Sequence, residues 1–562
     1  MAWYDEAIFY HIYPLGLTNA PKENNYKEVT HRLNTLLPWI SHIKEIGCNA
    51  LYIGPLFESV GHGYETTDYK KLDSRLGDNK DLTNFVAECH KAGIKVILDG
   101  VFNHTGRDFF AFKDLQEKRE NSPYKDWYCN VNFGGNTEYN DGFSYENWGG
   151  YNLLVKLNQK NPAVRDYICD VIRFWVSEYD IDGIRLDAAD VLDFEYMSAL
   201  RNVANQVKPD FWLMGEVIHG DYSRWVNEGT LHSVTNYQLH KALYSGHNDH
   251  NYFEIAHTVK RLYEMGGNKP DGLKLYNFVD NHDVERIYTK LNNKAHFAPV
   301  HILLYTLPGV PSIYYGSEFG IEGKKEQFSD ASLRPALNLE DFADAVKNNS
   351  FTKLIAALGH ARQGSKALSY GDYRELMLTN RQYAFSRNTG DDCAIVTVNN
   401  DDNPFTFTVN AGGFTSFTGA LSGEKVTANN GNITVSVSGN SGEIWVLDTS
   451  NVTPGHIDAS VNVADAVASS ANHHGEPEVS ENAPATPAES TDSKPEAKAD
   501  TTAKASDNNA SHSEDYQRGI IAGLQEAIIA RMEKNGCVTD QMRQDVYNNN
   551  HHDSLINWIK SF

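Results

Sequence analysis

The chain is 562 residues long with a formal net charge of −24, and 41% of its residues are hydrophobic and 11% aromatic. That length exceeds one hydrophobic core and predicts two to four mostly globular domains. The acidity argues against nucleic acid or an anionic membrane surface as partner, whereas a neutral polymer meets no such repulsion.

Six cysteines (48, 89, 129, 169, 393 and 537) are scattered with no CxxC and no Cys/His cluster, so free and mostly buried thiols are expected. No run of eighteen apolar residues is present to span a membrane. The start, MAWYDEAIFYHIYPL, lacks the basic and apolar segments of a secretory signal. The cytoplasm is the expected compartment; a leader removed ahead of Met1 would make the protein secreted.

Strand candidates begin at once with IFYHIYPL (8–15), followed by Ala50–Phe57 and by KVILDGVFNH (95–104). About eighty residues then precede the next strand, which is long for a barrel connection and predicts an inserted domain at 105–158. That insert is rich in Tyr, Trp, Asn and Gly, types that suit sugar contacts and an irregular lobe equally. A helix is expected from Asn161-Pro162, with Pro at its first position. Further strands follow at 183–187, 211–217, 233–237, 275–280 and 310–315, alternating with helical segments. The pattern predicts an α/β chain, a (β/α)8 TIM barrel over 1–104 and 159–365.

From about Lys366 the pattern changes to alternating runs such as CAIVTVNN (393–400), FTFTVN (405–410), ITVSVS (433–438) and EIWVLD (443–448). These predict a C-terminal antiparallel β sandwich over 366–448. Residues 449–512 are dominated by Ala, Pro, Ser, Thr, Glu and Lys, which predicts a disordered linker. Helical patterning returns at 513–562, a small module suited to docking a protein partner or to self-association.

Four of the strands deliver polar residues at their C-terminal ends. KVILDGVFNH brings Asp99, Asn103 and His104; GIRLDAAD (183–190) brings Arg185 and Asp187; FWLMGEV (211–217) brings Glu216; LYNFVDNHD (275–283) brings His282 and Asp283. Loops after the strands carry the chemistry of such barrels. Arg185 and Asp187, two apart, share a strand face, and the cation favours the ionised acid that a nucleophile needs. An ordinary buried ion pair has the same pattern. Glu216 follows Phe211, Trp212, Leu213 and Met214 with no basic neighbour in sequence, which suits an acid that keeps its proton.

In order and spacing, DGVFNH, GIRLDAAD, the Glu of GEV and FVDNHD resemble the signature regions of glycoside hydrolase family 13, the α-amylase family. GCNALYIGPLFES (47–59), LVKLN (154–158) and GVPSIYYGSEFGIEG (309–323) extend the resemblance over roughly Ala2 to Leu447. It implies Asp187 as nucleophile, Glu216 as acid/base and Asp283 as the third carboxylate. It further implies Tyr64 as a platform under the sugar, Asp99 as a brace for Arg185, and His104, His282, Lys156 and His219 as substrate contacts. Glu65 stands where the family more often has Asp. LVKLN is nearer the neopullulanase branch and implies α-1,4 cutting of maltodextrins, starch fragments or cyclodextrins, an α-glucan substrate, by a retaining mechanism without an organic cofactor. A transglycosylase or isomerase of the same family, or a glucan-binding scaffold that has lost its chemistry, are the alternatives. Asn103 matches a calcium ligand of many α-amylases, so a structural calcium ion is a further implication. The Lys-His usually associated with that metal is replaced by Ala189-Asp190.

Overall fold

The computed structural model describes residues 2–267, 272–327 and 329–467. Eight parallel strands form the first sheet: β1 (Phe9–Ile12), β2 (Ala50–Ile53), β3 (Lys95–Gly100), β4 (Gly183–Leu186), β5 (Trp212–Gly215), β6 (Ser233–Val234), β7 (Tyr276–Asn277) and β8 (Val310–Tyr314). Their hydrogen-bonded order is β6-β5-β4-β3-β2-β1-β8-β7. A parallel bridge from Thr235 to Tyr276 joins the two ends, so the sheet closes into a barrel. All eight strands expected from sequence are present, most of them shorter than the apolar runs that announce them. Pro14 ends β1 by opening a short helix, Pro14–Leu17. Asn236 ends the sixth run by capping helix Tyr237–Asn248, its side chain accepting from the Leu239 N–H.

Alternation along the strands divides the barrel interior into two layers. In the lower layer Phe9, Ala50, Ile97, Trp212, Tyr276 and Val310 pack as one apolar cluster. Phe9 stacks on Trp212 at 5.2 Å, and Tyr4 stacks on the same indole at 6.0 Å. A Cβ on Gly183 would stand 2.5 Å from the Trp212 carbonyl oxygen, so no side chain fits there. Two residues further along β1 to β4 stand His11, Tyr52, Asp99 and Arg185, so polar groups gather in this upper layer, with Met214 its apolar member on β5.

The segment between β3 and β4 is the predicted insertion. His104–Thr105, Tyr151–Lys156 and Asn147–Trp148 form a three-stranded antiparallel sheet, with Tyr151–Lys156 in the middle. Helix Phe110–Lys118 packs there through Phe112, edge-on to Tyr128 and Tyr145 at 5.3 and 5.1 Å. Phe143 and Tyr145 are buried, so these aromatics build the lobe itself. The helix predicted at Asn161-Pro162 runs Pro162–Tyr179, capped by the Asn161 side chain.

The C-terminal domain follows helix Lys366–Tyr370. Its strands are β9 (Asp372–Leu378), β10 (Gln382–Asn388), β11 (Cys393–Asn399), β12 (Phe405–Asn410), β13 (Ser416–Gly419), β14 (Lys425–Thr427), β15 (Asn432–Val437) and β16 (Ser441–Leu447). A six-stranded sheet, β9-β10-β11-β16-β13-β14, faces the pair β12-β15. Helix Phe297–Thr306, buried on every side, lies between this domain and the barrel.

Residues 449–467, expected in the linker, instead pack as a strap. Gly455 and Ile457 donate N–H groups to the carbonyls of Ala420 and Leu421, and Ala459 and Val461 are buried. Asp465 then accepts from the Ser350 N–H at 3.0 Å, and the Val467 N–H reaches Phe319 O at 3.3 Å. Composition misleads here because a few scattered apolar side chains, Val452, Ile457, Ala459 and Val461 among them, join backbone hydrogen bonds to dock the segment. The rest of the expected linker and the module at 513–562 lie outside the described residues. Among those described, five cysteines are unpaired and no helix is long and apolar enough to cross a membrane.

Candidate active site

Register brings the site together. Asp99 on β3 and Arg185 on β4 are direct partners across the parallel pair, and Met214 of β5 is opposite Arg185 on the other side. Arg185 is 3% exposed, and its guanidinium meets three carboxylates. Its NH1 is 2.9 Å from Asp99 Oδ1 and 2.8 Å from Asp187 Oδ1, and its NH2 is 2.9 Å from Glu216 Oε2. Tyr52 OH donates to Asp99 Oδ2 at 2.8 Å, and Tyr64 OH to the same oxygen at 3.1 Å.

The expectation that Arg185 distinguishes Asp187 from Glu216 does not hold, because the cation touches both. Burial pushes the carboxyls of Asp99, Asp187 and Glu216 upward and Arg185 opposes it in each case; Glu216 and Asp99 push Asp187 further. One cation cannot balance three buried anions, so this cluster favours holding a proton. Geometry separates the two acids instead. Glu216 Oε2 accepts from Arg185 and from the Ala188 N–H at 3.0 Å, which leaves Oε1 to carry a proton. Asp187 gives Oδ1 to Arg185, and Oδ2 makes no contact with that guanidinium. Ala188 holds a left-handed conformation, φ 47°, in the turn whose N–H meets Glu216.

Asp283 stands on the loop after β7. Its Oδ1 is 2.9 Å from Arg334 NH2 and its Oδ2 is 3.1 Å from His282 Nε2. Asn281 shapes this loop, Oδ1 accepting from the N–H groups of Asp283 and Val284. Lys325 donates to the Asp283 carbonyl at 2.8 Å. Burial, with the charges of Arg334, Arg185 and Lys325, holds His282 well below the usual histidine range, so the ring is neutral. Tyr64 lies parallel to His282, centroids 5.7 Å apart, and hydrogen-bonds it. Glu65, the departure from the family pattern, accepts from the His62 and Gly63 N–H groups and so fixes the turn that presents Tyr64.

Three expected contacts are placed differently. His104 is 1% exposed and burial lowers its pKa to about 3; Nε2 meets the Tyr64 carbonyl at 3.0 Å and Nδ1 meets Asn103 Nδ2 at 3.2 Å. Both ring nitrogens are thus spent inside the protein, and His104 has none left for a sugar hydroxyl. Lys156 pairs with Glu146 in the inserted lobe. His219 is exposed on the loop after β5. The calcium expectation fails the donor test: buried Asn103 offers Oδ1 to Gln159 Nε2 at 3.0 Å, an N–H where a cation would need a free oxygen.

His11, Tyr52, Gln159, Lys325 and Arg334 were not singled out from sequence. Tyr52 had a signal, since it shares the strand face of Ala50 near the end of β2. His11 stacks on Tyr52 at 4.2 Å and stands edge-on to His282 at 5.2 Å, and the same alternation would have found it.

Among family models, the description "Alpha amylase, catalytic domain" matches residues 27–354. A cyclomaltodextrinase from a Bacillus species is 30% identical over 431 residues, covering 71% of this chain and 74% of that protein. Neopullulanase 2 of Thermoactinomyces vulgaris is 31% identical over 422 residues, with 71% and 70% covered. A solved structure of a cyclomaltodextrinase superposes with a TM-score of 0.70 at 26% identity, covering 79% of this chain and 78% of that one.

Proposed function

The chain belongs to the α-amylase family of glycoside hydrolases, and from that premise we propose that it is an endo-acting, retaining hydrolase of α-1,4-glucosidic bonds in maltodextrins, starch fragments or cyclodextrins. The observation that carries the reading is the sharing of one guanidinium, Arg185, by Asp99, Asp187 and Glu216 at the top of the barrel, with Asp283 on the neighbouring loop. Retention needs two carboxyl groups with opposite protonation, one to attack and one to protonate. Asp187 is the nucleophile through Oδ2. Glu216 protonates the leaving oxygen from Oε1.

Once Asp187 is esterified its charge is gone, and the mutual repulsion of the two acids goes with it. Glu216 then ionises more readily and accepts a proton from the water that releases the sugar. Asp283, held by Arg334, binds hydroxyls of the distorted ring, and the Tyr64–His282 stack supports its apolar face. The names cyclomaltodextrinase and neopullulanase of the relatives support a short linear or cyclic glucan as substrate.

The test is product analysis on maltoheptaose, β-cyclodextrin and pullulan. Reducing sugars of α configuration from the wild type are expected, with cyclic and linear substrates both cut. Products longer than the starting sugar would move the reading to transglycosylation. No turnover of any glucan would overturn it.

A further inference from the structure

A line of hydrogen bonds crosses the floor of the inserted lobe, and its two ends fix the polarity of everything between. At one end the Asp193 N–H can only donate, and it meets a Gln159 side-chain atom at 2.7 Å, which must be Oε1. Gln159 therefore turns Nε2 to Asn103 at 3.0 Å, and the Asn103 atom receiving it must be Oδ1. Asn103 Nδ2 then faces His104 Nδ1, so the His104 proton resides on Nε2, where it meets the Tyr64 carbonyl at the far end. Every link agrees with its neighbours. Asn103, His104 and Gln159 are all more than nine-tenths buried, so solvent cannot replace a link.

The elements joined are those around the reaction. Asp193 opens helix Phe194–Val207 six residues after Asp187, Gln159 follows the return from the inserted lobe, and Tyr64 belongs to the turn after β2. Asn103 also accepts the Leu157 N–H on its own carbonyl, which draws that return strand to the end of β3. A divalent cation binding at Asn103 would gather the same segments through oxygen ligands. Here a neutral amide donor occupies the oxygen such an ion requires.

We infer that Gln159 is a positioning residue standing in for a structural cation: its carboxamide ties the nucleophile's loop, the inserted lobe and the Tyr64 turn together, and makes this site independent of calcium. The thermal-unfolding readout below needs no glucan, so it stands or falls apart from the substrate reading.

The experiment compares wild type, Gln159→Glu, Gln159→Leu and Asn103→Ala, each as the full chain, in EGTA and in added calcium chloride, by thermal unfolding and by steady-state kinetics. Wild type should melt at the same temperature and keep the same kcat in both conditions. Gln159→Glu keeps the acceptor for Asp193 but sets a carboxylate oxygen against Asn103 Oδ1. In EGTA its kcat should fall about tenfold, the equivalent of one lost buried hydrogen bond, with KM little changed. Calcium should restore both kcat and melting temperature in that variant and neither in Gln159→Leu. Calcium that stabilises wild type but no longer stabilises Asn103→Ala would overturn the inference. So would a Gln159→Glu enzyme indistinguishable from wild type in EGTA. If Gln159→Glu does not fold, the comparison of wild type with Asn103→Ala decides the matter alone.

Discussion

The two layers of the barrel interior are made by the same strands and differ by a step of two residues. Phe9 gives way to His11, Ala50 to Tyr52, Ile97 to Asp99 and Gly183 to Arg185. Below, aromatic rings stack around Trp212 and no charged group enters the cluster. Above, three acids share one cation with their charged forms disfavoured by burial. The lower layer is built for stability. The upper layer holds groups that a core built only for stability would exclude, and this is where family membership locates the chemistry.

The largest effects should come from breaking one layer at a time. Glu216→Gln should lower kcat at least about a thousandfold while leaving thermal stability unchanged or raised, because it removes a buried charge and keeps the shape. Trp212→Ala should do the reverse. It should cost about 3–5 kcal/mol of stability, with kcat per folded molecule kept within severalfold. Urea unfolding beside kinetics on both variants checks the pair, and a Trp212→Ala enzyme that is stable but inactive would dissolve the division.

Support from outside the barrel should behave like the lower layer. Ending the chain after Asp448 removes the strap, with its buried Ala459 and Val461 and its bonds to Ala420, Leu421 and Ser350. A loss on the order of 3 kcal/mol is expected. Ending it after Val467 keeps those contacts, and equal melting temperatures for the two truncations would contradict the packing of the strap.

The most graded effect is that of pH. Burial lowers His104, His240 and His247 to about 3 and His301 to about 4. Their folded values lie below the unfolded one, so the stability they confer is present above pH about 6.5 and is lost as pH falls, at up to about 1.4 kcal/mol per unit for each histidine. The upper-layer carboxyls have raised folded values and act in the opposite sense: their contribution is present at low pH and lost as pH rises through the folded value. The stability advantage of Glu216→Gln over wild type should therefore shrink as the solution is acidified, which unfolding curves at stepped pH would register.

Much of this was legible in the sequence because it rests on local pattern. Strand ends bearing Asp99, Arg185, Glu216 and Asp283 follow from apolar runs that stop at a polar residue, and alternation alone puts Arg185 and Asp187 together. Adjacency in sequence fails where the contact is made between strands. Glu216 has no basic neighbour in sequence, yet it lies against Arg185 from the next strand. Arg334 reaches Asp283 from 51 residues away through a loop without periodicity, and nothing in its surroundings announces the contact.

The sandwich illustrates the same limit. FTFTVN alternates because β12 has one face in water, with Thr406 and Thr408 exposed and Phe407 and Val409 buried. CAIVTVN is apolar on both faces because β11 lies between the sandwich core and the barrel. The edge strand β9, DYRELML, carries neither pattern and was not anticipated. The strap escapes composition for a related reason, since part of its anchoring comes from backbone groups that composition does not reveal.

The most direct measurement of the central claim is mass spectrometry of the enzyme incubated with a fluorinated α-glucosyl fluoride, which forms the glycosyl ester faster than water cleaves it. The mechanism predicts one added sugar on the peptide that contains Asp187, and none on Asp187→Asn. A label on Glu216 or Asp283, or turnover of the reagent with no covalent adduct, would contradict the assignment of Asp187 as nucleophile.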